Sequence, residues 1–204
     1  MKFDRYDGAD ESDNGIRMPA DVLDAKVSNF CITEVLGRFE RFTQEGSEES
    51  SYYPWAARFV MGFPIPEWQR PLVWTLDQKE RFIQSIWAGV DIGSYMVNDL
   101  YEYVGKGENK AFRLFSEILL DGQQRLSAIE DYVTNRISVR DAAGVPRFWA
   151  ELPRVERRRF SLFHFARSNI KSWDENQLRL AYDLRAFGGT QHTEEQRATE
   201  RWAA

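Results

Sequence analysis

The run Ile118-Leu119-Leu120 ends abruptly at Asp121-Gly122, and Leu126, Ile129, Tyr132 and Val133 then recur at the spacing of a helix face. The apolar run suits the end of a buried strand. The chain therefore turns from strand to helix with almost no linker, and sheet and helix must pack together. Other segments fit the same outline. Residues 58–65 look extended. Thr75-Leu76-Asp77-Gln78 has capping-box spacing ahead of a helix carrying Ile83, Ile86 and Trp87. Strands are predicted over 94–97, 101–104 and 111–120. The fold class expected is α+β, a mixed sheet with packed helices.

Further predictions concern both ends. Thr33 is a candidate cap for a helix over 34–44 carrying Val35, Leu36, Phe39 and Phe42. After residue 135 a hairpin is expected around Asp141-Ala142-Ala143-Gly144, with 148–152 as its return strand. Pro153 opens a short helix through Arg159. Phe160, Leu162, Phe163 and Phe165 read as another strand. Ser172-Trp173-Asp174-Glu175 reads as a second capping box before a helix through Ala186, and Thr193 and Gln196 frame a last one.

Composition narrows the class. With 43% hydrophobic and 14% aromatic residues the 204-residue chain has ample core material, so global disorder is excluded. No apolar run approaches the roughly 20 residues that span a bilayer, and the polar start is not a secretory signal. Cys31 is the single cysteine, so neither an internal disulfide nor a cysteine-based zinc site is expected. These features point to a cytoplasmic protein. A net charge of −5 opposes a general DNA-binding surface. The charge is uneven, however. Residues 1–50, read as an acidic arm with one helix, carry 6 basic and 12 acidic side chains. Residues 136–185, within the domain assigned to 51–204, carry 11 basic and 6 acidic ones.

The turn after Leu120 holds the chemistry. Gly122 allows a sharp bend and a close ligand approach. The free N–H groups of a helix start favour phosphate. Gln123 and Gln124 offer amide donors and acceptors, and Arg125 a planar fork matched to phosphate oxygens. Asp121 offers a carboxylate for Mg²⁺ or for orienting a water. An alternative is a capped turn in which Asp121 pairs with Arg125 and the glutamines face solvent. A second cluster, Pro66-Glu67-Trp68-Gln69-Arg70-Pro71-Leu72-Val73-Trp74, fixes Gln69 and Arg70 between prolines. Arg70 is a candidate second phosphate contact, or a partner of Glu67 or Asp77. Trp68 and Trp74 are read as core before base-stacking platforms.

Ile65-Pro66, Gln69-Arg70-Pro71, Trp74, Ile83-Gln84-Ser85-Ile86 and Leu120-Asp121-Gly122-Gln123-Gln124-Arg125-Leu126, in this order and spacing, resemble the N-terminal domain of GmrSD-type, modification-dependent restriction enzymes. Phe187-Gly188-Gly189-Thr190 with His192, Thr193 and Glu195 resembles a later loop of that domain. The resemblance implies a ParB/sulfiredoxin-like core and nucleotide binding. In several relatives it implies NTP hydrolysis that controls DNA cleavage, in restriction–modification and phage defence. Carried over, Asp121, Gln123, Gln124 and Arg125 become catalytic candidates, Gln69, Arg70, Gly122 and Arg125 nucleotide-binding ones, and Gly188, Gly189, Thr190 and His192 a pocket loop. The family loop usually has an asparagine where Ala186-Phe187 stands here. A His-Asn-His nuclease signature is not found, so a stand-alone domain is expected.

Arg154, Arg157, Arg158, Arg159, Arg167 and Lys171 form the best basic patch, for nucleic acid or an acidic partner. His164, between two phenylalanines, reads as a strand histidine, and Cys31 as buried. Three functions are open: an Mg²⁺-dependent NTPase or NTP-binding domain, a metal-dependent DNA nuclease using the same pocket, and a non-catalytic module for a separately encoded nuclease subunit.

Overall fold

The computed structural model describes residues 23–44, 47–105, 107 and 110–187. A four-stranded sheet forms its centre, built from β1 (Lys26–Ser28), β4 (Ser94–Asn98), β7 (Leu119–Asp121) and β10 (Ala166–Ile170) in the order β1-β10-β4-β7. β10 runs parallel to β4, and the other two pairings are antiparallel, so the sheet is mixed. Three two-stranded ribbons flank it: β2 (Arg58–Val60) with β3 (Phe63–Ile65), β5 (Tyr103–Val104) with β6 (Ala111–Phe112), and β8 (Val139–Arg140) with β9 (Pro146–Arg147). The helices are α1 (Ile32–Thr43), α2 (Leu76–Trp87), α3 (Gln123–Val133), α4 (Arg154–Ser161) and α5 (Glu175–Phe187). This is the α+β class read from the sequence.

Alternation along a strand sends neighbouring side chains to opposite faces, and both faces of this sheet are covered. Tyr95, Val97 and Leu119 join a large core with Ile32 and Val35 of α1, Ile83 and Ile86 of α2, Leu126 and Ile129 of α3 and Phe160 of α4. Met96, Leu120 and Ile170 face the other way, onto Leu178 and Ala181 of α5. α5 therefore lies across the sheet from the other helices. The end of β7 is where these two sides meet.

Local signals behave unevenly. The Thr75 capping box forms in full at the start of α2. Thr33 does not cap α1: Cys31 is the N-cap residue, without a side-chain bond, and the Thr33 hydroxyl donates to the Ser161 carbonyl at 2.8 Å. Residues 111–120 are not one strand. Phe115 and Glu117 adopt positive φ of 69° and 51°, which bends the chain between β6 and β7. Glu117 is held there by the Tyr53 hydroxyl at 2.8 Å and Arg38 at 3.2 Å. The hairpin return is Pro146–Arg147, and Trp149–Glu151 is a 3₁₀ turn instead of a strand. Phe160 belongs to α4, and the strand expected there lies later, at Ala166–Ile170. α5 is headed by Asp174, whose carboxylate accepts the Asn176 N–H at 2.8 Å; Ser172 instead accepts the Asp174 N–H at 3.0 Å. Cys31 is half-buried and bridges backbone with the exposed His164. Among the described residues no helix is long and apolar enough to cross a membrane.

Leu119 is fully buried at the centre of the larger core. Leu119→Ala is expected to cost about 3 kcal/mol of unfolding free energy through lost transfer energy and the cavity left behind, measured by urea denaturation.

Candidate functional site

β7 ends at Asp121, and Gly122 is the N-cap residue of α3. Gly122 sits at φ +100°, and a Cβ there would meet the Tyr95 Cβ at 2.7 Å. Both the conformation and the space demand glycine. The turn is thus pressed against Tyr95 of β4.

The two glutamines that follow are 4% exposed, so they do not face solvent. The Gln124 amide oxygen accepts the Val73 and Trp74 N–H groups at 3.0 and 3.1 Å, while its nitrogen donates to the Pro71 carbonyl at 3.1 Å. Gln123 donates to the Arg70 carbonyl at 2.9 Å and accepts from Arg58 at 2.7 Å. The same Arg58 nitrogen also donates to the Arg70 carbonyl at 2.6 Å. Gln69 donates to the Leu119 carbonyl. These bonds tie residues 69–74, a stretch without helix or strand, to α3 and β7. Gln69 and Gln124 bond here to backbone, Gln123 to backbone and to Arg58, and Arg70 lies in the segment they hold.

Arg125 is also committed to the protein. Its guanidinium donates to the carbonyls of Ile92 and Ser94 at 2.8 and 3.0 Å and pairs with Asp121 at 3.0 Å. Burial lowers its pKa, and the Asp121 carboxylate raises it again; an arginine stays charged under either influence. Arg185 of α5 reaches the same Asp121 oxygen at 3.2 Å and donates to the Ser94 carbonyl at 2.8 Å. One carboxylate oxygen, Oδ2, thus serves two arginines. Its twin, Oδ1, has no bond among the described residues. Arg70 is exposed and forms no ion pair there, with Glu67 and Asp77 included.

Arg70, Trp74, Asp121, Gly122, Gln123, Gln124, Arg125 and Tyr182 line one cleft of about 90 Å³, with Leu120 and Ala186. The guanidinium-bearing residues 70 and 125, far apart in the chain, therefore share a cavity. The cleft is well below the roughly 300–1,000 Å³ of drug-sized sites, so its space suits a group no larger than a phosphate. Trp68 and Trp74 are both half-buried. Trp68 packs edge-on to Tyr182 at 5.5 Å with Arg179 over its ring, and Trp74 packs on Phe82. Gly188, Gly189, Thr190 and His192 lie outside the described residues.

The six residues of the basic patch separate. Arg159 pairs with Glu156 at 3.1 Å, and Arg167 and Lys171 both engage Asp99, at 2.5 and 3.7 Å. Arg154, Arg157 and Arg158 are exposed on α4 without ion pairs among the described residues. Three site residues escape a sequence reading: Arg58, Tyr182 and Arg185. Arg58 offers the weak signal of a charge inside an apolar strand. Arg185 reaches across 64 positions to Asp121 and offers none.

Removing the Gln124 amide leaves the Val73 and Trp74 N–H groups and the Pro71 carbonyl without their partner. Gln124→Ala is expected to cost about 2 kcal/mol in urea denaturation and to raise proteolytic cleavage within residues 69–74. Arg70→Ala, which removes no bond to protein, should leave stability within about 0.5 kcal/mol of wild type.

A family model for the GmrSD restriction endonuclease, N-terminal domain, matches residues 56–201. No curated protein and no solved structure matches the chain. The matched span holds every residue that lines the cleft, from Arg70 to Ala186, together with Arg58 and Arg185 that bond to them. This chain belongs to the family of GmrSD restriction endonuclease N-terminal domains.

Proposed function

We propose that the protein binds a nucleoside triphosphate by its terminal phosphate in the Asp121 cleft, and that this binding, with hydrolysis, regulates a DNA-restricting activity. The observation that supports it is the convergence of Arg70, which has no ion pair among the described residues, with the start of α3 on one phosphate-sized cavity. Helix N-termini attract anions, and an arginine fork suits phosphate oxygens. Family membership supplies the link to restriction.

The roles divide within this reading. Arg70 contacts the phosphate. Arg125 holds Asp121 and the β4 backbone in place, and Arg185 adds positive charge from α5. The base and sugar lie over the open rim beside Trp74 and Tyr182. Among the described residues no three His, Cys, Asp or Glu side chains converge to hold a metal. A site made wholly of protein ligands therefore does not fit, whereas Mg²⁺ carried by the phosphates, with Asp121 Oδ1 as a single protein ligand, does. When bound, Mg²⁺ neutralises developing phosphate charge. The same lack of a ligand set weighs against a metal-dependent nuclease in this cleft. Arg154, Arg157 and Arg158 are the part of the patch open to DNA phosphates or to an acidic nuclease subunit.

Binding of the four nucleoside triphosphates with Mg²⁺, followed by calorimetry, and phosphate release test the reading. Arg70→Ala is expected to weaken binding by about 10- to 100-fold, the loss of one charge-assisted hydrogen-bonding group, with an unchanged melting temperature. Unchanged affinity in that variant, or no binding by wild type, removes the cleft from the nucleotide.

A further inference from the structure

α4 carries three arginines, Arg154, Arg157 and Arg158, that are exposed and without ion pairs among the described residues. Val155 on the same helix and Leu162 at its C-cap are 69% and 53% exposed. Spacings of three and four residues place Val155, Arg158 and Leu162 in one stripe. The stripe lies on the side away from Phe160, which is buried in the larger core. Arg154 borders it, one turn from Arg158. The face therefore joins two exposed apolar side chains to positive charge that nothing among the described residues neutralises. Arginine amid apolar side chains is a composition that protein interfaces favour. A phosphodiester backbone would leave the valine and the leucine without a partner.

We infer that this face docks the chain's own N-terminal arm, through residues 6–16, and that the arm withholds the α4 arginines from nucleic-acid phosphates until it is displaced. Residues 1–22 lie outside the described residues and hold six acidic and three basic side chains. Their charge is segregated. Asp7, Asp10, Glu11 and Asp13 all fall within residues 6–16, which contain no basic side chain. Tyr6 and Ile16 bring an apolar group to either end of that acidic run. Reach is not limiting. Extended chain covers at most about 3.6 Å per residue, so Cys31 lies within roughly 29 Å of Leu23. Cys31 bridges backbone with His164, and the Thr33 hydroxyl bonds to the Ser161 carbonyl, so this part of the chain adjoins the end of α4. The stretch from Asp7 to Leu23 spans up to about 53 Å at 3.3 Å per residue, enough to double back. A flexible tether of this kind supplies an effective concentration on the order of millimolar. Ion pairs too weak to join separate molecules therefore close the face within one chain. The pairs are solvent-exposed, so salt weakens them.

The test places a spin label at position 12 of the full chain, as Ser12→Cys with Cys31→Ser, and follows backbone amide signals by NMR. At low salt the signals of residues 154–162 should broaden. They should recover at about 0.5 M salt, with Arg158→Glu, and on addition of oligothymidine. A second measurement keeps Cys31 and carries the test if the labelled protein fails to fold. Replacing Asp7, Asp10, Glu11 and Asp13 by their amides should tighten oligothymidine binding about three- to tenfold at low salt, with an unchanged melting temperature. With Arg158→Glu also present most of that gain should vanish, which separates docking on α4 from a general loss of negative charge. The inference is overturned if the broadening is absent, falls on other elements or persists at high salt, or if oligothymidine binds without relieving it. It is equally overturned if the amide variant binds oligothymidine no better than wild type, or gains as much with Arg158→Glu as without. None of these readouts involves Arg70 or Asp121, so the nucleotide reading stands or falls separately.

Discussion

A side-chain amide has a donor and an acceptor a little over 2 Å apart, the same pairing that a peptide unit offers. Gln124 uses it as a strand would, donating to the Pro71 carbonyl and accepting from Val73 and Trp74. Residues 69–74 lack a sheet or helix partner of their own, and buried backbone groups left unpaired are costly. A carboxylate at 124 could not donate to Pro71, and an ammonium could not accept from the two N–H groups. Gln123 repeats the arrangement one residue earlier, with Arg58 completing the contacts to the Arg70 carbonyl. The position of the exposed Arg70 guanidinium thus depends on amides in α3, which depend in turn on Gly122 placing that helix tightly over β4.

Electrostatics then decides what the cleft attracts. Asp121 brings one negative charge to Arg125 and Arg185, so the three together remain positive. Arg70 and the positive end of the α3 dipole add to that sign, inside a cavity walled partly by Trp74 and Leu120. Field from partly buried charges is screened less than field from exposed ones.

The sequence was most legible where a local rule acts alone. The Thr75 box, the glycine-dependent turn at Gly122 and the 3.6-residue spacing in α2 and α3 all depend on neighbours within a few positions. Legibility failed where distant contacts override propensity. The aromatic run Phe160–Phe165 looks more strand-like than Ala166-Arg167-Ser168-Asn169-Ile170, yet only the latter lies between β1 and β4. Phe115 and Glu117 adopt a conformation that their residue types do not announce, fixed by Tyr53 and Arg38 from elsewhere in the chain. At the site, the residue types near Asp121 were visible. Their division of labour was not, because it depends on which carbonyls lie within reach: Arg125 reads as a phosphate fork in sequence and is engaged by Ile92 and Ser94 in space.

That division changes how Asp121 itself is to be understood. Its Oδ2 joins α3, through Arg125, to α5, through Arg185, although the two helices cover opposite faces of the sheet. Replacing the carboxylate by an amide preserves its shape but leaves two guanidinium groups facing each other beside Ser94. Arg125, 20% exposed, is the more enclosed of the two, and Arg185, 36% exposed at the end of α5, is the freer to move. A loss of function in such a variant would follow from displacement of α5 as readily as from a lost metal ligand. Removing Arg185 alone separates the two, because it frees α5 from Asp121 and Ser94 while the carboxylate, its Oδ1 and its pairing with Arg125 stay in place.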